Sequence, residues 1–269
     1  MNTAAILTES LRSRSPVSLE EMNASAALQT RVDRKYVLGG QQAAEVLRAL
    51  PARFHVLQML GRRAFTYESV YFDTPGLDSY LLAAHGRRRR YKIRTRTYVD
   101  SGLSFLEVKT EGARSATVKD RVPYSPGDSH RITPAGRAYI SETLQAAIGA
   151  VPAGPLLPVI ETGYDRITLF FPDSCSRATV DLGVTWRRPD GTARVLDGAV
   201  ILETKSGRTA GPLDRDLWAR GIRACRISKF ATGMAALDPS LPANRWHRTL
   251  TRAMTLQPLP DPAQPASRM

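Results

Sequence analysis

Cysteine is nearly missing from this chain. Cys175 and Cys225 are the two present among 269 residues, too few for a disulfide scaffold, and no CxxC pair offers a zinc site. No disulfide is expected. Histidine is as sparse: His55, His85, His130 and His247 fall in no metal-ligand spacing, and no Ser-His-acid set can be argued from spacing. There is no GxxxxGK phosphate loop, no GxGxxG and no HExxH. No window approaches the ~20 apolar residues of a membrane span. Residues 1–27 carry Arg12 and Arg14 without the apolar stretch of a signal peptide. Together these absences predict a reduced, cytoplasmic chain. Acidic residues are also in deficit. Asp and Glu number 25 against 38 Lys and Arg, a formal net charge of +13, which selects anionic partners: nucleotide, polyphosphate, nucleic acid or an acidic membrane surface. Aromatic residues make only 7% of the chain and no nucleic-acid-binding motif is present, so no nucleic-acid partner is expected, although Tyr91 and Tyr98 flank a basic run.

What the chain does have is charge at every second position. Arg31, Asp33 and Lys35 form one such set, and Arg90, Lys92, Arg94 and Arg96 another. Glu107 with Lys109, Lys119 with Arg121, and Glu203 with Lys205 repeat the pattern. A strand sends alternate side chains to opposite faces, so each set projects to one side. Between Phe105 and Lys109 the other face carries Leu106 and Val108, and Ala199–Leu202 is apolar until Glu203 arrives. If such strands closed on themselves, the charge would line a lumen.

The periodicity predicts strands near 29–38, 65–73, 90–98, 103–110, 117–124, 159–171, 177–187 and 198–206. Helices fit 41–50, 76–85, 133–149, 212–220 and 229–237. Thr133-Pro134 opens one with a hydroxyl cap and a first-turn proline, and Pro189-Asp190-Gly191 reads as a hairpin turn. Strands in series with inserted helices predict an α+β, β-rich fold: an antiparallel barrel of about eight strands with peripheral helices. Residues 1–27 read as a flexible arm, 28–237 as the folded domain, and 238–269 as a proline-rich tail on the surface or disordered.

Each charged motif also has a plain structural reading. Arg31-x-Asp33-x-Lys35 suits a solvated edge strand protected from aggregation. The Arg87–Arg90 run suits a basic surface patch. Glu107 and Lys109 suit an exposed ion pair worth little. Ser228-Lys229 suits a helix cap or, with its free backbone N–H groups, an anion site. Arg94 and Arg96 differ, because two planar guanidinium forks about 7 Å apart on one strand face could grip neighbouring phosphates. A carboxylate such as Glu203 near bound phosphates suits a hard divalent cation.

The order R-x-D-x-K-Y (31–36), YFDT (71–74), R-x-R-x-Y (94–98), EVKT (107–110), K-x-R (119–121), Y-x-R (164–166), an acid-containing strand, L-E-x-K (202–205) and SKF (228–230) resembles the vacuolar transporter chaperone (VTC) polyphosphate polymerase domain, a member of the triphosphate tunnel metalloenzymes. The likeness covers about residues 28–237. It implies an antiparallel triphosphate-tunnel barrel and ATP-dependent polyphosphate synthesis, the terminal phosphoryl group passing to a growing chain. It also implies a divalent metal, Mn2+ or Mg2+, with ATP or another nucleoside triphosphate and polyphosphate or pyrophosphate as partners. A separate membrane partner would be the route to any membrane. Under this resemblance Lys35, Arg94, Arg96, Lys109, Arg166 and Lys229 hold the phosphates. Arg31, Lys119, Arg121, Lys205 and Ser228 are further substrate contacts, and Glu203 is the metal ligand. Related triphosphatases and adenylate cyclases open with E-x-E-x-K; Arg31 and Asp33 stand in those acid positions here, which favours polymerase chemistry. The alternatives are a triphosphatase or nucleotidyl cyclase of the same fold, or a noncatalytic polyphosphate- or nucleotide-binding module.

Overall fold

The computed structural model describes residues 3–25, 32–111 and 117–259. Its strands in chain order are β1 (Pro16–Val17), β2 (Val32–Gly39), β3 (His55–Leu57), β4 (Ala64–Asp73), β5 (Arg90–Tyr98), β6 (Leu103–Glu111), β7 (Thr117–Tyr124), β8 (Leu157–Phe171), β9 (Ser176–Arg187), β10 (Ala193–Leu196), β11 (Ala199–Ser206) and β12 (Leu256–Pro258). Its α-helices are α1 (Thr3–Ser10), α2 (Leu19–Ser25), α3 (Gly40–Ala49), α4 (Asp78–Ala84), α5 (Pro134–Ile148), α6 (Pro212–Ala219), α7 (Lys229–Leu237) and α8 (His247–Arg252).

All twelve strands belong to one sheet. Its backbone is eight antiparallel strands in the order β2-β11-β9-β8-β4-β5-β6-β7. The fold is β-rich α+β with helices at the periphery. It differs from a barrel in one respect: among the described residues no ladder joins β2 to β7, so the sheet is a curved trough. The backbone of β2 is instead met by the segment before α7, where Cys225 N–H donates to the Lys35 carbonyl at 2.8 Å.

Alternation explains which face is which. Tyr91, Ile93, Leu106 and Val108 point to the convex side and are covered by Ile140, Leu144 and Ile148 of α5. Tyr36, Leu38, Val180, Val200 and Leu202 are covered by Ala43, Ala44 and Leu47 of α3. The intervening residues of the same strands face the other way and include the charged set, while Val37 and Ile201 among them pack in the cluster of α7. Helix α5 begins as its sequence predicts: the Thr133 hydroxyl accepts the Gly136 N–H at 3.1 Å, Pro134 occupies the first turn, and Gly149 ends it at φ +64. The turn at Pro189–Gly191 joins β9 to β10, with Gly191 at φ +88.

The described parts of both terminal segments are folded. Residues 3–25 include α1, and its Leu7, with Leu11 in the turn just after it, is buried in the cluster that holds α3. Two leucines four apart make a helical apolar stripe that a small, polar average conceals. Beyond residue 238, Trp246 and Met254 are buried and β12 adds an outer strand to β10. Pro258 is tolerated there because an edge strand leaves one row of N–H groups unpaired. Both cysteines are free. Among the described residues no helix is long and apolar enough to cross a membrane.

Candidate functional site

The concave face gathers charge from seven of the eight main strands, while β4 contributes Tyr67, Ser69 and Tyr71. Across β2 and β11, Lys35 sits opposite Glu203 and Asp33 opposite Lys205. Arg166 on β8 sits opposite Asp181 on β9, and Arg94 on β5 opposite Glu107 on β6. The start of α7 reaches across this face: the Ser228 hydroxyl accepts from Lys92 Nζ at 2.8 Å, while Lys229 pairs with Asp181.

Three buried acids organise the cations. Glu107, 2% exposed, accepts Arg94 Nε at 2.8 Å and Lys119 Nζ at 2.9 Å. Asp181, fully buried, takes the Arg166 fork through Nε at 2.6 Å and Nη2 at 2.9 Å, with Lys229 as a second partner. Glu203 lies between Lys35, at 3.1 Å, and Lys205, which also bonds Asp33 at 3.2 Å. Burial alone would push these carboxyls up. The surrounding cations overcome it: Arg166 and Lys229 hold Asp181 at about 2, Arg94 and Arg96 hold Glu107 below the carboxylate range, and Lys35 and Lys205 hold Glu203 well below it.

Two lysines have no acid partner among the described residues. Lys92 bonds only the Ser228 hydroxyl; burial, then the charges of Lys109 and Lys35, push it down to about 7. Lys109 makes no hydrogen bond or ion pair among the described residues. Its ammonium is enclosed by the trough, and that enclosure, then Lys35, lowers it to about 8 against the nearby Glu203 and Asp33, which favour its charge. Lysines this close, bonded to no acid, form a ready seat for a polyanion.

The trough differs at its two ends. Where β5 finishes, Tyr67 stacks on Tyr164 with centroids 5.4 Å apart and tilts against Tyr98 at 5.0 Å. Arg166 and Arg96 lie over the Tyr67 ring and Arg121 over Phe105. Where β5 begins, the lining is Arg90 and Lys92.

Among the described residues no cluster of three or more His, Cys, Asp or Glu could hold a metal by itself. Glu203 is a single carboxylate. Its register neighbour on β9 is Thr179, whose buried hydroxyl has no partner. One carboxylate and one free hydroxyl fit a hard cation that brings phosphate oxygens with it, the usual manner of Mg2+, and do not fit a cage made by protein alone.

Of the residues singled out from sequence, Lys35, Arg94, Arg96, Lys109, Lys119, Arg166, Glu203, Lys205, Ser228 and Lys229 converge on this concavity. Arg121 is at its edge on β7, exposed and stacked on Phe105. Arg31 lies outside the described residues. Ser228 has a structural duty as well, since its hydroxyl accepts the Ala231 N–H and caps α7. Sequence reasoning missed Asp181, Lys92, Tyr67 and Thr179 as site residues. Lys92 was legible from its place in the alternating set. Asp181 sits in an apolar strand with no charged neighbour two residues away, so period two gave no sign of it.

Solved structures of similar course include a Vibrio parahaemolyticus protein described as a candidate adenylate cyclase, 12% identical, covering 77% of this chain and 98% of its own, with a TM-score of 0.45. Another is a Hippeastrum candidate adenylyl cyclase described as having a dominant triphosphatase activity, 17% identical, covering 79% and 98%, with a TM-score of 0.43. None of these values carries an activity across. No curated protein matches the chain. A family model does, over the stretch that contributes every charged strand of the concavity and the start of α7: the chain belongs to the VTC domain family, whose model matches residues 30–238.

Proposed function

We propose that this protein is a polyphosphate polymerase that transfers the terminal phosphoryl group of a nucleoside triphosphate to a growing phosphate chain held in the trough. The observation that carries the reading is the excess of fixed cations over acids on one enclosed face, with Lys92 and Lys109 bonded to no acid. The attacking group is a terminal phosphate oxygen of the chain, already ionised at neutral pH. It forms a bond to the γ-phosphorus as the bond to the bridging oxygen breaks, and the diphosphate leaves with that electron pair. No side-chain nucleophile is needed, so catalysis is positioning and charge neutralisation.

The chain's residues divide that work. Asp181 fixes the Arg166 fork and Lys229, and Glu107 fixes Arg94, so the cations are held in place before substrate arrives. Arg94, Arg96, Arg166 and Lys229 receive the triphosphate, and Lys35, Lys92 and Lys109 extend the cationic path. Glu203, with the Thr179 hydroxyl beside it, would hold a divalent ion; when bound, that ion supplies charge neutralisation on the transferring phosphate oxygens. Asp33 and Glu203 share Lys205 between them and Glu203 also bonds Lys35, so both acids are engaged by lysine, which supports chain growth over the paired-acid chemistry of the hydrolases.

Incubation with ATP and manganese, followed by gel analysis of the product, tests the reading. A ladder of phosphate chains is expected. Free phosphate alone would assign triphosphatase activity, a cyclic nucleotide would assign a cyclase, and binding without turnover would assign a sensing module.

A further inference from the structure

The trough's lining does not stop at its arginine end. On the concave side of β5, Arg96, Arg94, Lys92 and Arg90 follow one another about 7 Å apart, by the rise of a strand. Beyond Arg90 the same direction meets two residues from the C-terminal third of the chain. Arg226 lies two residues before Ser228, the acceptor of Lys92, and its carbonyl is anchored by the Thr249 hydroxyl at 2.9 Å. The Arg245 guanidinium lies against Gly86 so closely that a Cβ there would collide with it. Arg90 and Arg226 both act on Arg245 by like-charge repulsion. Arg88 and Arg89 are exposed in the turn leading into β5. Arg90 bonds Glu111, whose charge also attracts Arg245; Arg88, Arg89 and Arg226 bond no acid among the described residues. Five arginines around one acid are unfavourable in the free protein and are relieved by a polyanion.

We propose that Arg90, Arg226 and Arg245, flanked by Arg88 and Arg89, form a collar that holds the phosphate chain outside the trough, after the segment bound inside it. This rests on the function proposed above and adds a second binding stretch with a direction: chain at the arginine end, nucleoside at the aromatic end. Two observations favour a linear polyanion over an anionic lipid surface. The collar is continuous with the lining through Arg90 and Lys92. None of the exposed large apolar side chains among the described residues belongs to it, whereas an interfacial patch presents apolar groups for insertion.

The test is equilibrium binding of tripolyphosphate, and of a polyphosphate chain several times longer than the trough, to the parent and to Arg226→Ala/Arg245→Ala. Long-chain affinity is expected to fall about tenfold per arginine removed. The slope of log affinity against log salt should drop by about two, and tripolyphosphate affinity should change by less than about twofold. Unchanged long-chain affinity, or equal losses for both ligands, overturns the collar. A parent that binds tripolyphosphate no more weakly than the long chain also overturns it, while leaving the trough reading intact. A parent that binds neither overturns both. Loss of binding to phosphatidylserine vesicles with long-chain affinity retained reassigns the collar to lipid and overturns it as well. Arg88→Ser/Arg89→Ser, at exposed positions, decides the matter should the first variant melt early: the same length-selective loss is expected, and no loss counts against the collar.

Discussion

At the scale of single residues, the cations of the trough are not equivalent. Arg94 is bound to a carboxylate that is 2% exposed. Removing it leaves Glu107 bonded to Lys119 alone, with only the charge of Arg96 in further support. Arg94→Ala is therefore expected to lower stability by about 2 kcal/mol or more as well as activity. Lys109 has no such partner, and its charge is opposed by Lys35. Lys109→Ala is expected to leave the melting temperature unchanged or raise it, while weakening triphosphate binding. Thermal melts beside binding isotherms check both; equal melting losses in the two variants would contradict the difference in their surroundings. Glu203→Gln removes the negative charge that Lys35 and Lys205 share. The two ammonium groups become available to phosphate, so tripolyphosphate should bind equally or more tightly. The manganese requirement for turnover should rise, because a neutral amide is a poor ligand for a hard ion. An unchanged manganese titration would remove Glu203 from the metal site.

At the scale of elements, α1 makes the clearest case. Leu7 and Leu11 are buried in the cluster that holds α3, and each fully buried leucine contributes about 2 kcal/mol. A variant starting at Ser15 should lose on the order of 4 kcal/mol, less whatever the exposed face of α3 recovers by relaxing; chemical denaturation would measure it, and an unaltered midpoint would show that α1 adds nothing. That helix also marks where sequence reading stops. Five of the eight main strands were legible because charge alternating with apolar residues has a period of two, the other three as β-branched and aromatic runs, and α5 because Thr133, Pro134 and Gly149 punctuate it. Helix α1 has only a short apolar stripe in a run of small polar residues, and the buried tail hides Trp246 and Met254 among prolines. The site followed the same logic. Lysines and arginines in alternating sets were visible. Asp181 was not, because what makes it functional is Arg166 from one strand and Lys229 from a helix far along the chain, a meeting that register creates.

At the scale of the whole molecule, the trough sets the response to pH. Asp181 is held at about 2 against an ordinary value of 3.8. Its pairing therefore contributes fully above about pH 4 and is lost as pH falls toward 2. Lys92 and Lys109 act in the opposite direction, being lowered to about 7 and about 8 from 10.5. Between those values and 10.5 the unfolded chain holds protons that the folded chain does not, so their contribution to stability rises with pH. Phosphate binding reverses this preference, because a bound anion favours the ammonium forms. Tripolyphosphate affinity should be highest below pH 7 and decline through pH 7–8, and binding at pH 8 should draw protons from the buffer. Calorimetry in buffers of different ionisation enthalpy measures that uptake; zero uptake would mean that these lysines do not meet the ligand.

The gap between β2 and β7 has a topological consequence. A ring can be occupied by a long polymer only if an end of the polymer is threaded through it. A gutter can be filled from the side, along the guest's length. No ladder ties β2 to β7 among the described residues, but the segment before α7 bridges the trough, bonding the Lys35 carbonyl on β2 and Lys92 on β5. Beneath that bridge a polyphosphate has to enter by an end, so chains blocked at both ends with groups wider than phosphate should compete for the trough more weakly than open ones of equal charge.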